Sequence, residues 1–197
     1  MKFVRFALGL GMLSATALAA EEVEVSAVKF TNLRAPNGAT GNWFEADLSL
    51  NVHPAPGSPG AMVSRVHVSL LLGFELPALA GGERRIEHYR ADAECVALDP
   101  GRAEVRFYLP PELVKRDQLH GDPKFWLIDV TAGGRPQSAG RASASAALAN
   151  ADARKNFAAR AASAAALNDG LLLPQYLTPF ATDNPRATPS FVRRETR

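Results

Sequence analysis

Long stretches of alternating apolar and polar residues are the feature that most constrains this fold. Within Asn42–His53 nearly every second residue is apolar, and the residues between them are mostly polar. Because successive side chains of a strand point to opposite faces, this pattern predicts a strand with one face on a core and the other in water. Comparable runs bring the predicted strands to seven: Val23–Leu33, Asn42–His53, Val63–Leu76, Arg85–Leu98, Arg102–Leu109, Phe125–Thr131 and Ser138–Ala147.

The last of these segments, Ser138–Ala147, has two interpretations. Its alternation of small and polar residues predicts a thin strand, but alanine is the best helix former, so the start of a helix is the alternative. From Asn150 onward the sequence favours a helix, because Asn150 suits an N-cap and Asn168–Gly170 is a stop signal. The apolar stripe predicted for this helix is narrow and consists of Phe157, Ala161, Ala164 and Leu167.

A double proline interrupts the strands at Phe107–Asp117, which reads FYLPPELVKRD. Pro110 and Pro111 cannot donate to a strand ladder, and proline suits the first turn of a helix. An early acid and late bases match the dipole of a short helix. This stretch is therefore predicted to be a helical corner between two strands.

Together these segments predict a mainly β protein, an antiparallel immunoglobulin-like β-sandwich of about seven strands with a short corner helix, a C-terminal α-helix and an extended tail. Trp126 would be the core tryptophan, whereas Cys95 is the only cysteine, so the paired cysteines of antibody domains are absent. The predicted division is residues 1–20 as a signal peptide, 21–148 as the sandwich, 149–170 as the helix, and 171–197 as an apolar segment with a flexible tail.

The first twenty residues have the pattern of an export signal. Lys2 and Arg5 precede the apolar run Phe6–Leu18, and Ala17–Ala19 supplies small residues for cleavage. This run is shorter than the ~20 residues that span a bilayer, so no transmembrane segment is expected in the mature chain. Removing Lys2 and Arg5 leaves 20 basic and 20 acidic residues, a neutral balance that gives no support to nucleic-acid binding. Export to the periplasm, the outer membrane or the cell surface is expected.

No residue pattern in the sequence points to a catalytic, metal or cofactor site, and none is predicted. Cys95 falls on an inward strand face, where a buried, inert thiol is expected. The sequence also contains no phosphate-binding glycine loop and no nucleophile motif. The four histidines lack the spacing of metal ligands: His53, His67, His88 and His120.

Two surfaces are candidates for binding. The apolar, proline-interrupted segment Leu171–Phe180 and the tail beyond it are predicted to contact a protein partner. The alternative is a carbohydrate-binding module, in which Trp43 stacks on a sugar beside Glu45 and Asp47 on an outward strand face. The residues predicted to contact the partner are Leu172, Tyr176, Leu177, Phe180 and Phe191.

Phe107–Asp117 and Gly170–Phe180 (GLLLPQYLTPF) resemble segments of the verrucomicrobial pilus-like secreted proteins. Those proteins have an immunoglobulin-like sandwich and are associated with pilus-type surface gene clusters. The resemblance implies a structural or accessory surface protein without an active site, whose partners are other proteins of the surface or pilus system, or further copies of itself. Cleavage near Ala19 departs from pilin assembly, because it would remove the apolar helix through which pilins polymerise.

Overall fold

Two antiparallel four-stranded sheets pack face to face as a β-sandwich, which confirms the predicted fold class. The structure, a computed structural model, describes residues 22–36, 41–57, 59–78, 84–138, 140–182 and 188–193, so the predicted signal peptide lies outside it. The elements are β1 (Val23–Arg34), β2 (Asn42–Val52), β3 (Val63–Leu76), β4 (Arg85–Leu98), β5 (Gly101–Leu109), α1 (Pro111–Arg116), β6 (Phe125–Ala132), β7 (Arg135–Pro136), α2 (Ala151–Ala164) and β8 (Leu173–Pro174).

The strand order is that of an immunoglobulin-like sandwich with one addition. One sheet has the order β1-β2-β5-β8 and the other β4-β3-β6-β7. If β1 is strand A, the sheets read A-B-E and C′-C-F-G, and β8 stands beside strand E, where strand D lies in the four-stranded immunoglobulin sheet. The sequence predicted that the sandwich ends at residue 148. Strand β8 lies beyond that boundary and still belongs to one of the two sheets.

The alternating residues form the core between the sheets, as predicted. The inward residues of β2 and β3 are almost fully buried. Trp126 lies at the border of this core rather than at its centre, with its ring 5.3 Å from that of Phe30 and its indole Nε1 donating to Ala142 O. The largest fully buried side chains of this core are instead Phe44, Tyr89 and Phe107.

Helix α1 forms the predicted corner, and a buried polar contact fixes it to β4. The Tyr89 hydroxyl donates to Asp117 Oδ2, and Arg116 donates to both carboxylate oxygens at 2.7 and 2.8 Å. Although burial opposes ionisation, the hydrogen bonds from Arg116 and Tyr89 hold the pKa of Asp117 below its usual range. Asp117 is itself buried, so this carboxylate joins the corner to the core.

Ser138–Ala147 is neither the predicted strand nor the start of the helix. Arg141–Ser143 forms a single 3-10 turn, and a second one, Ala146–Leu148, begins at the end of the stretch. Among the described residues of the stretch, only Ala144 makes a β-bridge, to Leu127. Gly140 lies so close to β1 that an added Cβ would meet Val25 O at 2.3 Å. Small residues are needed here because the backbone passes close to β1. Their alternation with polar residues produced the pattern from which a strand was predicted.

Helix α2 covers the outer face of the second sheet. Asn150 is its N-cap, as predicted, since Asn150 Oδ1 accepts from Ala153 N at 2.7 Å. Phe157 and Ala161 are buried against Leu71 and Leu127 in a small second core. Leu167 was predicted to extend this stripe, but it is 89% exposed. The reason is that the chain changes to a 3-10 turn at Ala165–Asn168, which rotates each residue further around the axis.

His88 is buried on β4 beneath α2, with its ring centroid 5.6 Å from that of Phe157. Its Nδ1 has no hydrogen-bond partner in the described part of the chain. Burial lowers the pKa of His88 below its ordinary value; the Glu87 carboxylate opposes this shift and the Arg160 guanidinium adds to it. The side chain is therefore packed as the neutral imidazole.

Acidification is expected to weaken the protein through His88. Because its folded-state pKa is depressed, the unfolded chain binds the proton first, and the free energy of unfolding should fall as the pH drops below about 6.5, by at most ~1.4 kcal/mol per pH unit. His88→Gln should remove this component in urea denaturation between pH 8 and pH 5. The exposed His120 is the matched control, and His120→Gln should keep the wild-type dependence. An unchanged pH dependence in His88→Gln would contradict the assignment.

Candidate functional site

Residues 171–182, here called the C-terminal segment, lie along the side of the sandwich where β4 and β5 bound the two sheets. Gly170 turns the chain into this path with a φ of 72°, which favours glycine. Leu172 is only 2% exposed and packs into the main core. As strand β8, Leu173 and Pro174 then pair with Tyr108 and Phe107 of β5. The segment therefore completes a sheet of its own chain.

An aromatic cluster fixes the end of the C-terminal segment on the outer face of the first sheet. Phe180 is 1% exposed and stacks on Tyr108, with ring centroids 4.4 Å apart and an interplanar angle of 5°. The Trp43 ring stands nearly perpendicular to the Phe180 ring at 5.6 Å. Three aromatic rings from three parts of the chain thus form one packed unit, in which Phe180 is the member that the C-terminal segment contributes.

Buried hydrogen bonds hold the backbone of this segment in two 3-10 turns. Gln175 Nε2 donates to Phe180 O at 2.9 Å, and Thr178 Oγ1 donates to Gln175 O at 2.8 Å. Both side chains are buried, as polar groups can be when they replace the backbone partners that a turn lacks. Neither residue was predicted to have this role, although their place between Pro174 and Pro179 was a signal that side chains must satisfy the backbone here.

Ser190–Val192, here called the terminal strand, pairs with the outer edge of β4. Val96 N donates to Ser190 O at 2.8 Å, and Val192 N donates to Glu94 O at 2.7 Å. Phe191 forms the bridge opposite Cys95, packs on the main core, and lies 5.3 Å from the Tyr176 ring. The flexible tail expected from the sequence is thus paired with β4 at these three residues.

The structure separates the predicted partner-contact residues into two groups. Leu172 and Phe180 are wrong as contact residues, because both are buried in their own chain and cannot reach a partner while it is folded. Tyr176 and Phe191 are half-buried and pack on each other, whereas Leu177 is 59% exposed. The last three residues therefore remain candidates for contact with a partner.

Trp43, the predicted sugar-stacking residue, is half-buried by Tyr108 and Phe180. Glu45 was expected in water beside it, but it is buried and accepts from the Tyr108 hydroxyl at 2.7 Å and from Thr31 Oγ1 at 3.2 Å. The open sheet face that the carbohydrate alternative requires is covered by the chain itself. Trp43 therefore packs on its own chain at the place where the hypothesis puts a sugar.

An open groove of about 570 Å³ lies where the terminal strand meets the ends of β4 and β5. Met62 and Val96 are 40% and 50% exposed there, which is unusual for large apolar side chains in this structure. Thr188 and Pro189 form one wall, and Asp99 and Arg102 lie among the polar residues of the lining. The groove therefore offers both apolar and charged side chains to an occupant.

The one cysteine of the sequence, Cys95, lies inside the main core. Cys95 is buried, and burial raises the pKa of its thiol to about 12, with the Glu94 carboxylate adding to the shift. Within the described ranges, no group of three or more His, Cys, Asp or Glu side chains is placed to hold a metal ion. None of the helices in those ranges has the length and apolar character needed to cross a bilayer.

A comparison with solved structures finds the same fold in a bacterial protein. A crystal structure of a protein from Akkermansia muciniphila matches with a TM-score of 0.67 and 14% sequence identity, covering 92% of this chain and 98% of that one. Akkermansia muciniphila is a verrucomicrobial bacterium, so the neighbour links this fold to the group of organisms suggested by the resemblance. No protein-family model matches the sequence, and no curated protein matches it.

Proposed function

We propose that this chain is a non-enzymatic, exported, pilus-like protein that acts as a structural or accessory component of the cell surface through contacts with other proteins. The observation that carries the proposal is that the two stretches behind the resemblance meet in space. Phe107 and Tyr108 of the first stretch pair with β8 of the second, and Tyr108 stacks on Phe180. Segments about 60 residues apart thus form one structural unit. Two stretches that resembled the family by chance would not be expected to contact each other.

The partner would contact the exposed side of the unit that β5 and the C-terminal segment form. Leu177 projects from the C-terminal segment with 59% of its surface exposed, between the buried Leu172 and Phe180. Tyr176 is half-buried beside it, so an aromatic and an aliphatic side chain adjoin on a backbone held by hydrogen bonds. Rigidly presented apolar and aromatic side chains suit protein contacts, because little ordering is needed on binding.

Cross-linking on intact cells tests this function. Cells would export the chain with an epitope after Gly57, in the exposed loop between β2 and β3, and be treated with an impermeant cross-linker. Leu177→Asp is expected to reduce the cross-linked species about tenfold, because a carboxylate in an apolar contact costs at least ~1.4 kcal/mol. Leu167→Asp is the matched control, since Leu167 is exposed but lies outside the segment, and it should cross-link like the wild type.

Two outcomes would contradict the proposal. An epitope found only in the cytoplasm would exclude a surface role. Equal cross-linking by Leu177→Asp, Leu167→Asp and the wild type would show that the C-terminal segment is not the contact surface. The urea midpoints of both variants should match that of the wild type, which separates lost contact from lost stability.

A further inference from the structure

Helix α2 has two buried residues, Phe157 and Ala161, and only Phe157 is large. The Phe157 ring lies over Gly73 of β3, where an added Cβ would come within 3.0 Å of Phe157 Cε2. Gly73 pairs with His88 on β4 and with Phe125 on β6. The ring centroids of His88 and Phe125 each lie 5.6 Å from that of Phe157. The missing side chain of Gly73 thus leaves a socket for Phe157 between two rings.

The polar side-chain contacts of α2 stay within its own part of the chain. In the described ranges, hydrogen bonds link Asn150, Arg154 and Ser163 to backbone groups between residues 148 and 160. The small second core that α2 closes is separate from the main core between the sheets. Segments with few buried apolar contacts open at a lower free-energy cost than the whole domain. Helix α2 can therefore leave the sheet while the sandwich stays folded.

His88 is the titratable member of this socket. It is 8% exposed, and its Nδ1 has no hydrogen-bond partner among the described residues. The Glu87 carboxylate on the same strand is already engaged, because its Oε1 accepts from Asn168 Nδ2 at 2.7 Å and its Oε2 lies 3.4 Å from Arg85 Nε. From α2, the positive charge of Arg160 adds to the effect of burial in lowering the pKa of His88.

The charged side chains that adjoin His88 on the same face of the sheet are paired with others. Because strand residues alternate between the two faces, these neighbours are Arg90 on β4 and Glu75 on β3. Gly73, directly opposite His88, offers no side chain. The pairs are Arg90 with Asp92 at 3.3 Å and Glu75 with Lys124 at 2.7 Å. A proton on His88 would therefore bring a second positive charge near Arg160, and no unpaired carboxylate adjoins it among the described residues.

We propose that His88 is an acid-sensitive contact for α2, whose protonation releases the helix from the second sheet while the sandwich stays folded. In the released state both imidazole nitrogens are hydrated, so the proton favours that state, as a shift between two states requires. The released ring titrates near pH ~6.5, whereas the packed ring titrates lower because burial opposes its charge. Helix α2 is therefore held at neutral pH and increasingly released below about pH 6.5, which uncovers the apolar side chains of Leu71 and Leu127.

Hydrogen exchange of the full chain tests this release, read by mass spectrometry at about pH 7.5 and about pH 5.5 and corrected for the intrinsic exchange rate at each pH. The opening equilibrium of the α2 amides should rise several-fold on acidification, with about tenfold as the limit for one proton, while the β2 amides stay at least about tenfold better protected. His88→Gln and His88→Phe, which keeps an aromatic ring, should abolish the rise. The exposed His120 is the control, and His120→Gln should keep it.

Three outcomes would overturn the proposal. A rise of less than about twofold in the wild type would mean that the proton does not act on the helix. Equal exchange of the α2 and β2 amides at the lower pH would show that the helix leaves only when the whole sandwich unfolds. A rise that persists in either His88 variant would assign the acid response to another group.

Discussion

Ending the chain at Gly170 is expected to abolish the cooperative unfolding of the sandwich. The truncation removes Leu172 from the main core and Phe180 from its stack on Tyr108, and it exposes the edge of β5. Truncating a buried leucine costs ~2–5 kcal/mol and a buried phenylalanine ~3–5 kcal/mol. Their sum, roughly 5–10 kcal/mol, is comparable with the whole stability of an ordinary domain.

Urea denaturation followed by near-ultraviolet circular dichroism and tryptophan fluorescence measures this loss. A chain ending at Arg193 is the control, since it keeps the C-terminal segment and the terminal strand, and it should unfold like the full chain. A protein ending at Gly170 that unfolds cooperatively at the full-length midpoint would show that the sandwich does not need the C-terminal segment. The sequence predicted a sandwich that is complete at residue 148. That boundary would instead predict cooperative unfolding of the protein that ends at Gly170.

Phe180→Ala is expected to lower the free energy of unfolding by about 3–5 kcal/mol, the largest effect of any single substitution in the C-terminal segment. Phe180 is 1% exposed, stacks on Tyr108 and meets Trp43 nearly at a right angle, so its removal leaves a cavity lined by two rings that the sheet holds in place. Because these rings cannot move in to fill the cavity, the loss of free energy of unfolding should lie at the upper end of the range for phenylalanine.

The matched control lies three positions earlier in the same segment. Leu177 is 59% exposed, and Leu177→Ala should change the free energy of unfolding by no more than ~0.5 kcal/mol. Trp43 fluorescence should change in Phe180→Ala alone, because only that variant alters the ring's surroundings. Equal and small effects of both substitutions would mean that the segment does not pack on the sheet.

The six long strands β1 to β6 were predictable because each of them repeats one physical signal. Alternation in Asn42–His53 and Val63–Leu76 reports a two-sided environment, and the structure places those residues in β2 and β3 with the apolar sets inward. The alternation in Ser138–Ala147 had another cause. Small residues there allow close passage along β1, as the 2.3 Å approach at Gly140 illustrates, and periodicity alone does not distinguish that from a thin strand.

The candidate site was predictable only in its location. The apolar run Leu171–Phe180 was singled out as a binding segment, but the sequence does not say whether an apolar residue meets its own core or a partner. Leu172 and Phe180 proved to be core, and Leu177 proved to be exposed. That division depends on a pairing with Phe107 and Tyr108, about 65 residues earlier, which no local pattern encodes.

The C-terminal segment is an integral part of the sandwich and presents Leu177 from it. Amide hydrogen exchange of the full chain measures this most directly, residue by residue. The amides of Thr178 and Ala181, which donate to Gln175 O and Thr178 O at 3.0 and 3.1 Å, should be protected along with those of β5 and open with them as one unit. Exchange of these amides at the rate of an unfolded chain, while β5 stays protected, would show that the segment is not an integral part of the sandwich.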